Sequence, residues 1–204
     1  MPDRFAAPSW LDVSRETLQK LEELAILVQK WSRKINLVSQ TDVNQIWERH
    51  ILDSGQVLDA APKAWRRWVD LGSGGGFPGL VISVLAEGGQ KVVLVESDGR
   101  KAAFLQSASI SLDLDTEVIN ARVENISSQK ADVVSARALA PLDDLLTYAA
   151  PHVLSGGVCL FLKGAKSDDE LTRARRNWNM SVDKIPSKTE SSGTILKIGA
   201  LSRV

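Results

Sequence analysis

The sequence predicts an α/β fold: a mostly parallel sheet with helices on both faces, preceded by an N-terminal helical extension. Three observations predict it. Short apolar, strand-like runs alternate with helix-like segments from Trp65 onward. One of those runs, Trp68-Val69-Asp70-Leu71, feeds straight into the glycine-rich stretch Gly72-Ser73-Gly74-Gly75-Gly76-Phe77-Pro78-Gly79 and then a second apolar run. Before Trp65 the apolar residues recur at three-to-four spacing, which is helical. The extension is expected over 1–62 and one compact unit over 63–204.

The elements follow in order. Residues 1–13 form a loose or short helical lead. Ser14 is a candidate N-cap for a helix over about 15–34, with Leu18, Leu21, Leu24, Ala25, Val28, Trp31 and Ile35 on one face. Asn36-Leu37-Val38-Ser39 breaks it. Thr41 or Asp42 caps a second helix carrying Ile46, Trp47, Ile51 and Leu52, and Val57 to Pro62 is a further turn and link. The first strand ends at Leu71. Pro78 stands where a helix starts, its φ preset and no N–H to lose, and the helix Leu80–Ala86 is stopped by Gly88-Gly89. A strand Lys91–Val95 ends on Glu96. Asp98 caps a helix through Phe104, Leu105 and Ile110. Asp115–Ile119 is a short strand, turning at Asn120 to Glu124. Ala131–Ala136 is the fourth strand, closed by Arg137; Asp143–Pro151 is helical; Gly157–Lys163 is the fifth strand. Asp168–Trp178 reads as a charged helix and Gly193–Ile198 as the final strand, with a hairpin and one antiparallel strand expected at that end of the sheet.

Strand, glycine turn, helix, strand, acid is the grammar of a nucleotide-type cofactor site. Glycines let a ligand approach the backbone with no Cβ in the way, and the helix start aims N–H groups at it. Glu96, at the end of the second strand, lies beside the first strand's loop and can accept hydrogen bonds from two ribose hydroxyls. Its separation from Gly72 is close to the spacing of about 20 residues usual for ribose-binding acids. Two ligand classes compete here. The dinucleotide fingerprint G-x-G-x-x-G, counted from Gly72, meets Phe77 where its third glycine belongs. The tighter turn Gly72, Gly74, Gly76 resembles the first motif of S-adenosylmethionine-dependent methyltransferases. A plain tight turn is the bland alternative.

Composition removes several other classes. With 25 basic and 25 acidic residues the formal charge is zero, so a basic surface must be local. Cys159, the single cysteine, excludes an internal disulfide framework and fits a reducing cytoplasm as a buried thiol. The two histidines, His50 and His152, are far apart, and no metal-ligand cluster is evident, so no metal is expected. No apolar run approaches the length of about 20 that spans a membrane, and Met1-Pro2-Asp3-Arg4 lacks a signal peptide's apolar core. A cytoplasmic location is expected.

In open α/β sheets ligands bind at the carboxyl ends of the strands, near the switch in strand order. Gly72 to Phe77, Glu96, Asn120 to Glu124, Arg137 and Lys163 fall there. Phe77 walls the cofactor or belongs to the core. Val123 and Glu124 receive an adenine edge or merely begin a helical turn. Arg137 borders the pocket, and Lys163 stands at even odds between function and structure. The run Arg173-Ala174-Arg175-Arg176 is as compatible with a solvated helix face as with a nucleic-acid contact.

The motifs together go further. Ile35-Asn36-Leu37, Trp47-Glu48-Arg49-His50-Ile51-Leu52-Asp53-Ser54, Val69 to Gly79, Ala121-Arg122-Val123-Glu124, Ser135-Ala136-Arg137-Ala138 and Phe161-Leu162-Lys163-Gly164 resemble the bacterial small-subunit (16S) ribosomal RNA guanine-N7 methyltransferases, the RsmG (GidB) family. The resemblance spans about Ile35 to Lys166. It implies a Rossmann-like S-adenosylmethionine-dependent methyltransferase domain with an N-terminal helical cap, and N7 of one guanine in 16S RNA as acceptor. By motif, Gly72, Phe77, Val123, Glu124 and Arg137 become cofactor-site positions; Gly74 and Glu96 join them from the loop and ribose arguments. Guanine N7 has an in-plane lone pair and no proton, so no general base is expected, and Arg137 serves in positioning. Candidate RNA contacts are Arg49, His50, Arg100, Lys101, Arg122, Lys163 and Lys166, acting on phosphates. The expected partner is 16S RNA or the small subunit, and the expected state a monomer. A methyltransferase with a small-molecule acceptor, a non-enzymatic binding module and, distantly, a nicotinamide oxidoreductase are the alternatives.

Overall fold

The computed structural model describes residues 5–39 and 43–204; the Thr41 or Asp42 cap lies outside them. Helix α1 (Arg15–Ser32) starts where Ser14 Oγ accepts the Thr17 N–H at 3.1 Å. It buries Leu21, Leu24, Ala25 and Val28. A fully buried Leu or Val stabilises by roughly 1.5–3 kcal/mol, so this stripe, not propensity, holds the helix.

The second helical segment is not the plain α-helix that the spacing predicts. Trp47–Leu52 forms π-helical turns, Asp53–Gly55 (α2) is a single α turn, and Gln56–Ala60 is 3₁₀. The wide π turns carry Trp47, His50, Ile51 and Leu52 all to the interior, more than a regular 3.6-residue period presents to one side. The cost in regular hydrogen bonding is met by burial, and His50 is thereby delivered to the sheet.

The sheet has seven strands in the order β3-β2-β1-β4-β5-β7-β6. They are β1 (Arg67–Leu71), β2 (Lys91–Val95), β3 (Thr116–Ile119), β4 (Ala131–Arg137), β5 (Val153–Lys163), β6 (Trp178–Pro186) and β7 (Thr194–Arg203). β1 through β5 run parallel, and β7 returns antiparallel beside β5 with β6 outside it. The sequence reading misses β6 and runs a helix to Trp178. In the structure α6 (Ser167–Ala174) stops short, and Trp178, Met180 and Val182 alternate with Asn179, Ser181 and Asp183 along a strand. That period of two, scattered among charges on a sheet edge, was the available signal. The one antiparallel strand expected at that end is β7, paired with β5, but the hairpin it belongs to is formed with the unexpected β6.

Helices α1, α3 (Gly79–Leu85) and α4 (Gly99–Ser111) share one core with Trp68, Val92, Leu94 and Val133, so the helical extension packs on one face of the sheet. Helix α5 (Leu142–Ala149) and α6 fill the other face with Val69, Val93, Val134 and Phe161. Strand order reverses between β1 and β4, which opens a crevice at their carboxyl ends.

Candidate active site

The glycine turn after β1 is tied down on both sides. Ser73 N–H donates to Val95 O at 3.0 Å, and Gly74 N–H donates to Glu96 Oε2 at 2.8 Å. Glu96 Oε1 accepts the Asp98 N–H at 2.7 Å. Glu96 is therefore a loop tie here, 7% exposed, with a lone pair left on each oxygen for a ligand hydroxyl. Gly74 has φ +55°, and a Cβ there would have Gly72 O, at 3.7 Å, as its nearest neighbour. The position is left-handed and faces open space, as a ligand's path does. At Gly79 the reason differs: a Cβ would stand 2.3 Å from Leu94 Cδ2 and 2.7 Å from Asp70 Oδ2, so glycine there is a packing requirement.

Asp70 lies beneath the turn and is fully buried. Ser135 Oγ–H donates to its Oδ1 at 2.6 Å, and Trp68 Nε1–H donates to Ser135 Oγ at 2.8 Å. Gly79 N–H donates to Oδ2 at 3.3 Å. Burial pushes its carboxyl up to about 6, against the pull of those hydrogen bonds and of Arg137. Burial likewise pushes the Cys159 thiol up to about 12, which makes it an inert core group.

Across the crevice, Arg137 ends β4 and gathers groups from the helical segment. Its Nη2 lies 2.6 Å from His50 Nδ1, its Nη1 donates to Arg49 O at 3.1 Å, and Nη1 stands 3.5 Å from Asp53 Oδ2. A guanidinium has only donors, so Nδ1 accepts and the His50 proton sits on Nε2. His50 stacks on Phe77 with centroids 4.9 Å apart, and the Arg137 guanidinium lies 5.1 Å from that ring. Phe77 is thus both core, at 4% exposure, and the platform for the Arg137–His50 pair. Phe77-Pro78 is a cis peptide, and Pro78 precedes α3.

Two cavities flank this wall. A cavity of about 190 Å³ is lined by Gly72, Val95, Ser97, Arg122, Val123 and Glu124 among others. A larger one of about 750 Å³ has Arg49, His50, Asp53, Arg137, Lys163 and Glu190 on its walls. Both include Leu139 and Ala140, so the segment after Arg137 divides one crevice. The larger one falls in the range of about 300–1,000 Å³ typical of ligand sites.

The structure brings Gly72, Val123, Glu124 and Arg122 together at the small cavity, and Arg49, His50, Arg137 and Lys163 at the large one. Arg100 is exposed and pairs with Asp98 at 3.5 Å, while Lys101 donates its N–H to the same carboxylate; both belong to the α4 cap, outside the two cavities. That contact, through backbone N–H bonds first, holds the Asp98 carboxyl below the usual range. Lys166 is exposed at the start of α6. Lys163 is committed: its Nζ lies 2.8 Å from Glu170 Oε2 and donates to Ala140 O at 2.8 Å. The same Glu170 oxygen accepts the Leu142 N–H at 2.8 Å, so Lys163 and Glu170 together anchor the segment dividing the crevice.

The sequence reading singled out neither Asp53 as a site group nor the β6–β7 turn. Asp53 lies within the Arg-His-Ile-Leu-Asp-Ser run and was legible there as part of that motif. The turn carries no local signal, because its partner lies in the helical segment: Thr189 Oγ1–H donates to Asp53 Oδ1 at 2.8 Å, and Gln56 Oε1 accepts the Lys188 N–H at 2.7 Å.

Comparison with known proteins agrees with this geometry. Residues 17–195 match the model of the GidB family, rRNA small subunit methyltransferase G. A ribosomal RNA small subunit methyltransferase G of Cereibacter sphaeroides is 48% identical over 95% of this chain and 96% of its own. The protein of that name from Paramagnetospirillum magneticum is 49% identical over 94% and 92%. Among solved structures, an O-methyltransferase from Bacillus cereus in complex with SAH superposes with a TM-score of 0.63 at 14% identity, covering 94% of this chain and 93% of that one. A cofactor-bound Rv0187 gives a TM-score of 0.59 at 15% identity, covering 87% and 88%. These two speak to the fold: a Rossmann-like methyltransferase sheet. The family match over residues 17–195 and relatives 48–49% identical over nearly the whole length place the chain in the GidB family of small-subunit ribosomal RNA methyltransferases.

Proposed function

We propose that this protein transfers the methyl group of S-adenosylmethionine to N7 of a guanine in 16S ribosomal RNA, acting in the cytoplasm as a monomer on the RNA or the assembled small subunit. The observation that carries the reading is the divided crevice: a small slot lined by Gly72 and Val123, separated by the Leu139–Ala140 segment from a larger cavity walled by Arg49, His50 and Arg137. The slot fits the donor. Gly72, Val95 and Val123 line the slot, the two valines supplying apolar faces for a purine; Gly74 and Glu96 belong to the turn beside it and do not line it, and Glu96 keeps lone pairs for a ribose. When bound, the donor supplies an electrophilic methyl on a sulfonium.

The chain's own part is alignment. Guanine N7 attacks with a lone pair and loses no proton, so the residues need only hold nucleophile and methyl in line and tolerate charge moving onto the base. Arg137 is held by Arg49 O, His50 and Asp53 and so serves to position the wall of the larger cavity. His50, with Nδ1 occupied by Arg137, is held as a neutral ring against Phe77 and has no role as a base. Exposed Arg49, Arg122 and Lys166 are the candidates for phosphate contacts.

The test is methyl transfer from labelled S-adenosylmethionine to small subunits from cells lacking this protein, beside calorimetric binding of the cofactor alone. Transfer to RNA supports the reading. Cofactor binding with no transfer to RNA, and transfer to a small-molecule acceptor instead, overturns it.

A further inference from the structure

We propose that Glu190 is the specificity-determining residue that reads the acceptor base, accepting hydrogen bonds from the N1–H and the 2-amino group of guanine. The inference rests on the guanine-N7 reading above and extends it. If N7 faces the donor methyl, the Watson–Crick edge of the same base must point away from the donor, across the larger cavity. Guanine presents two adjacent donors on that edge, N1–H and N2–H₂. Adenine presents an acceptor at N1. A carboxylate accepts from both guanine donors at once and meets adenine N1 with two oxygens that repel it.

Three carboxylates line the larger cavity: Asp53, Glu170 and Glu190. The first two hold the cavity wall together. Asp53 Oδ1 accepts from Thr189 Oγ1 and from Gln56 Nε2, each at 2.8 Å, and Oδ2 faces Arg137 at 3.5 Å. Glu170 Oε2 holds Lys163 Nζ and the Leu142 N–H, each at 2.8 Å. Glu190 is different. Ser192 Oγ–H reaches its Oε1 at 3.2 Å, and the Arg49 guanidinium stands 3.9 Å from Oε2, too far for a hydrogen bond. Its side chain is 50% exposed, so its acceptor capacity is open to the cavity.

The backbone under Glu190 is nonetheless fixed. Glu190 N–H donates to Ser187 Oγ at 3.2 Å and Glu190 O accepts the Gly193 N–H at 2.9 Å, closing the β6–β7 turn. Ser187 N–H donates to Gly193 O at 3.0 Å. The turn is then pinned across the crevice to Asp53 and Gln56 of the helical segment. The turn that carries the carboxylate is set before the base arrives, so only the Glu190 side chain has still to be ordered on engaging it. The neighbouring Arg49 offsets the carboxylate's charge, so an RNA backbone can approach.

The experiment pairs a protein change with a single-atom-group change in the substrate. Small subunits are assembled on 16S RNA carrying either guanosine or inosine at the methylated position; inosine lacks only the 2-amino group and keeps N7. kcat/KM is measured for the wild-type protein and for Glu190→Gln, with cofactor affinity by calorimetry as the check that the variant is folded. Wild type is expected to lose roughly 10- to 100-fold on inosine, as for one hydrogen bond to a charged acceptor. Glu190→Gln is expected to lose a similar factor on guanosine and to show no further loss on inosine. Any intrinsic effect of inosine on N7 reactivity is common to both proteins and cancels in the ratio. Guanosine methylation with an inosine penalty that is the same in Glu190→Gln, or absent in wild type, overturns the Glu190 assignment alone. Absence of methylation by wild type on guanosine subunits overturns the guanine-N7 reading and the assignment with it.

Discussion

Asp70→Asn tests how the glycine turn is supported. Asp70 is fully buried, and its carboxyl is pushed from 3.8 up to about 6 by burial. The sign follows from linkage. The folded state holds the proton more tightly than the unfolded chain, so the contribution to stability is complete below pH 3.8 and is lost as pH rises through about 6. A shift of about two units is worth roughly 3 kcal/mol in all, of which about 2 kcal/mol falls between pH 4.5 and pH 7. Asparagine has no such proton. Its NH2 also replaces one of the two acceptor oxygens, facing either the Gly79 N–H or the Ser135 O–H, which costs about 1–3 kcal/mol at every pH. The assay is urea unfolding of both proteins at steps from pH 4.5 to 7. The stability of Asp70→Asn relative to wild type should improve by about 2 kcal/mol over that range, on top of a constant deficit. A difference that does not change with pH would refute the reasoning, since it would mean that Asp70 is solvated or already ionised without cost.

Three further changes probe other parts of the crevice. Gly74→Val puts a branched side chain into the donor's path at φ +55°, so calorimetry should show at least a tenfold loss of S-adenosylmethionine affinity, with about 1–2 kcal/mol lost from stability through the left-handed backbone; unchanged affinity would remove the turn from the donor site. Lys163→Met leaves Glu170 without its cation and Ala140 O without its donor; an unfolding free energy lowered by about 2 kcal/mol, with cofactor binding and RNA use falling together, is expected, whereas loss of RNA use alone would make Lys163 an RNA contact. Arg137→Lys keeps the charge but cannot reach His50, Arg49 O and Asp53 at once; kcat should fall by about 100-fold, and a wild-type kcat would remove Arg137 from the positioning wall.

The fold was legible where local pattern and tertiary environment agree. The strand–turn–helix at Leu71 to Leu85 carries its own punctuation in Gly72, Pro78 and Gly88. The caps at Ser14 and Asp98 are readable because the acceptor is one residue away from its helix. β6 was not legible, because an edge strand shows one face to solvent and its Asp183 and Lys184 mask the alternation. The π turns at Trp47 are likewise a tertiary product: propensity favours a regular helix, and burial of His50 against Phe77 decides otherwise.

The site divides in the same way. Gly72, Phe77, Val123, Glu124 and Arg137 are proposed from the motifs, and Gly74 from the loop argument. Glu96 was visible as an acid at a strand end, but its grip on the Gly74 and Asp98 N–H groups depends on how the loop closes. Lys163 looked like a pocket cation, and only the position of Glu170, one turn into α6, shows that its charge is spent. Asp53, Gln56, Thr189 and Glu190 meet across more than half the chain, a separation at which no local pattern operates.

The most direct measurement locates the methyl group itself. Small subunits and, separately, their naked RNA, both from cells lacking this protein, are incubated with it and methyl-labelled S-adenosylmethionine, and the RNA is cleaved by chemistry selective for N7-methylguanine. A single labelled guanine in 16S RNA is the expected result, and the better of the two substrates shows whether the enzyme works on RNA or on the assembled particle. Label at a different atom or base, or none on either substrate while the cofactor still binds, would contradict guanine-N7 transfer and leave the divided crevice with another acceptor.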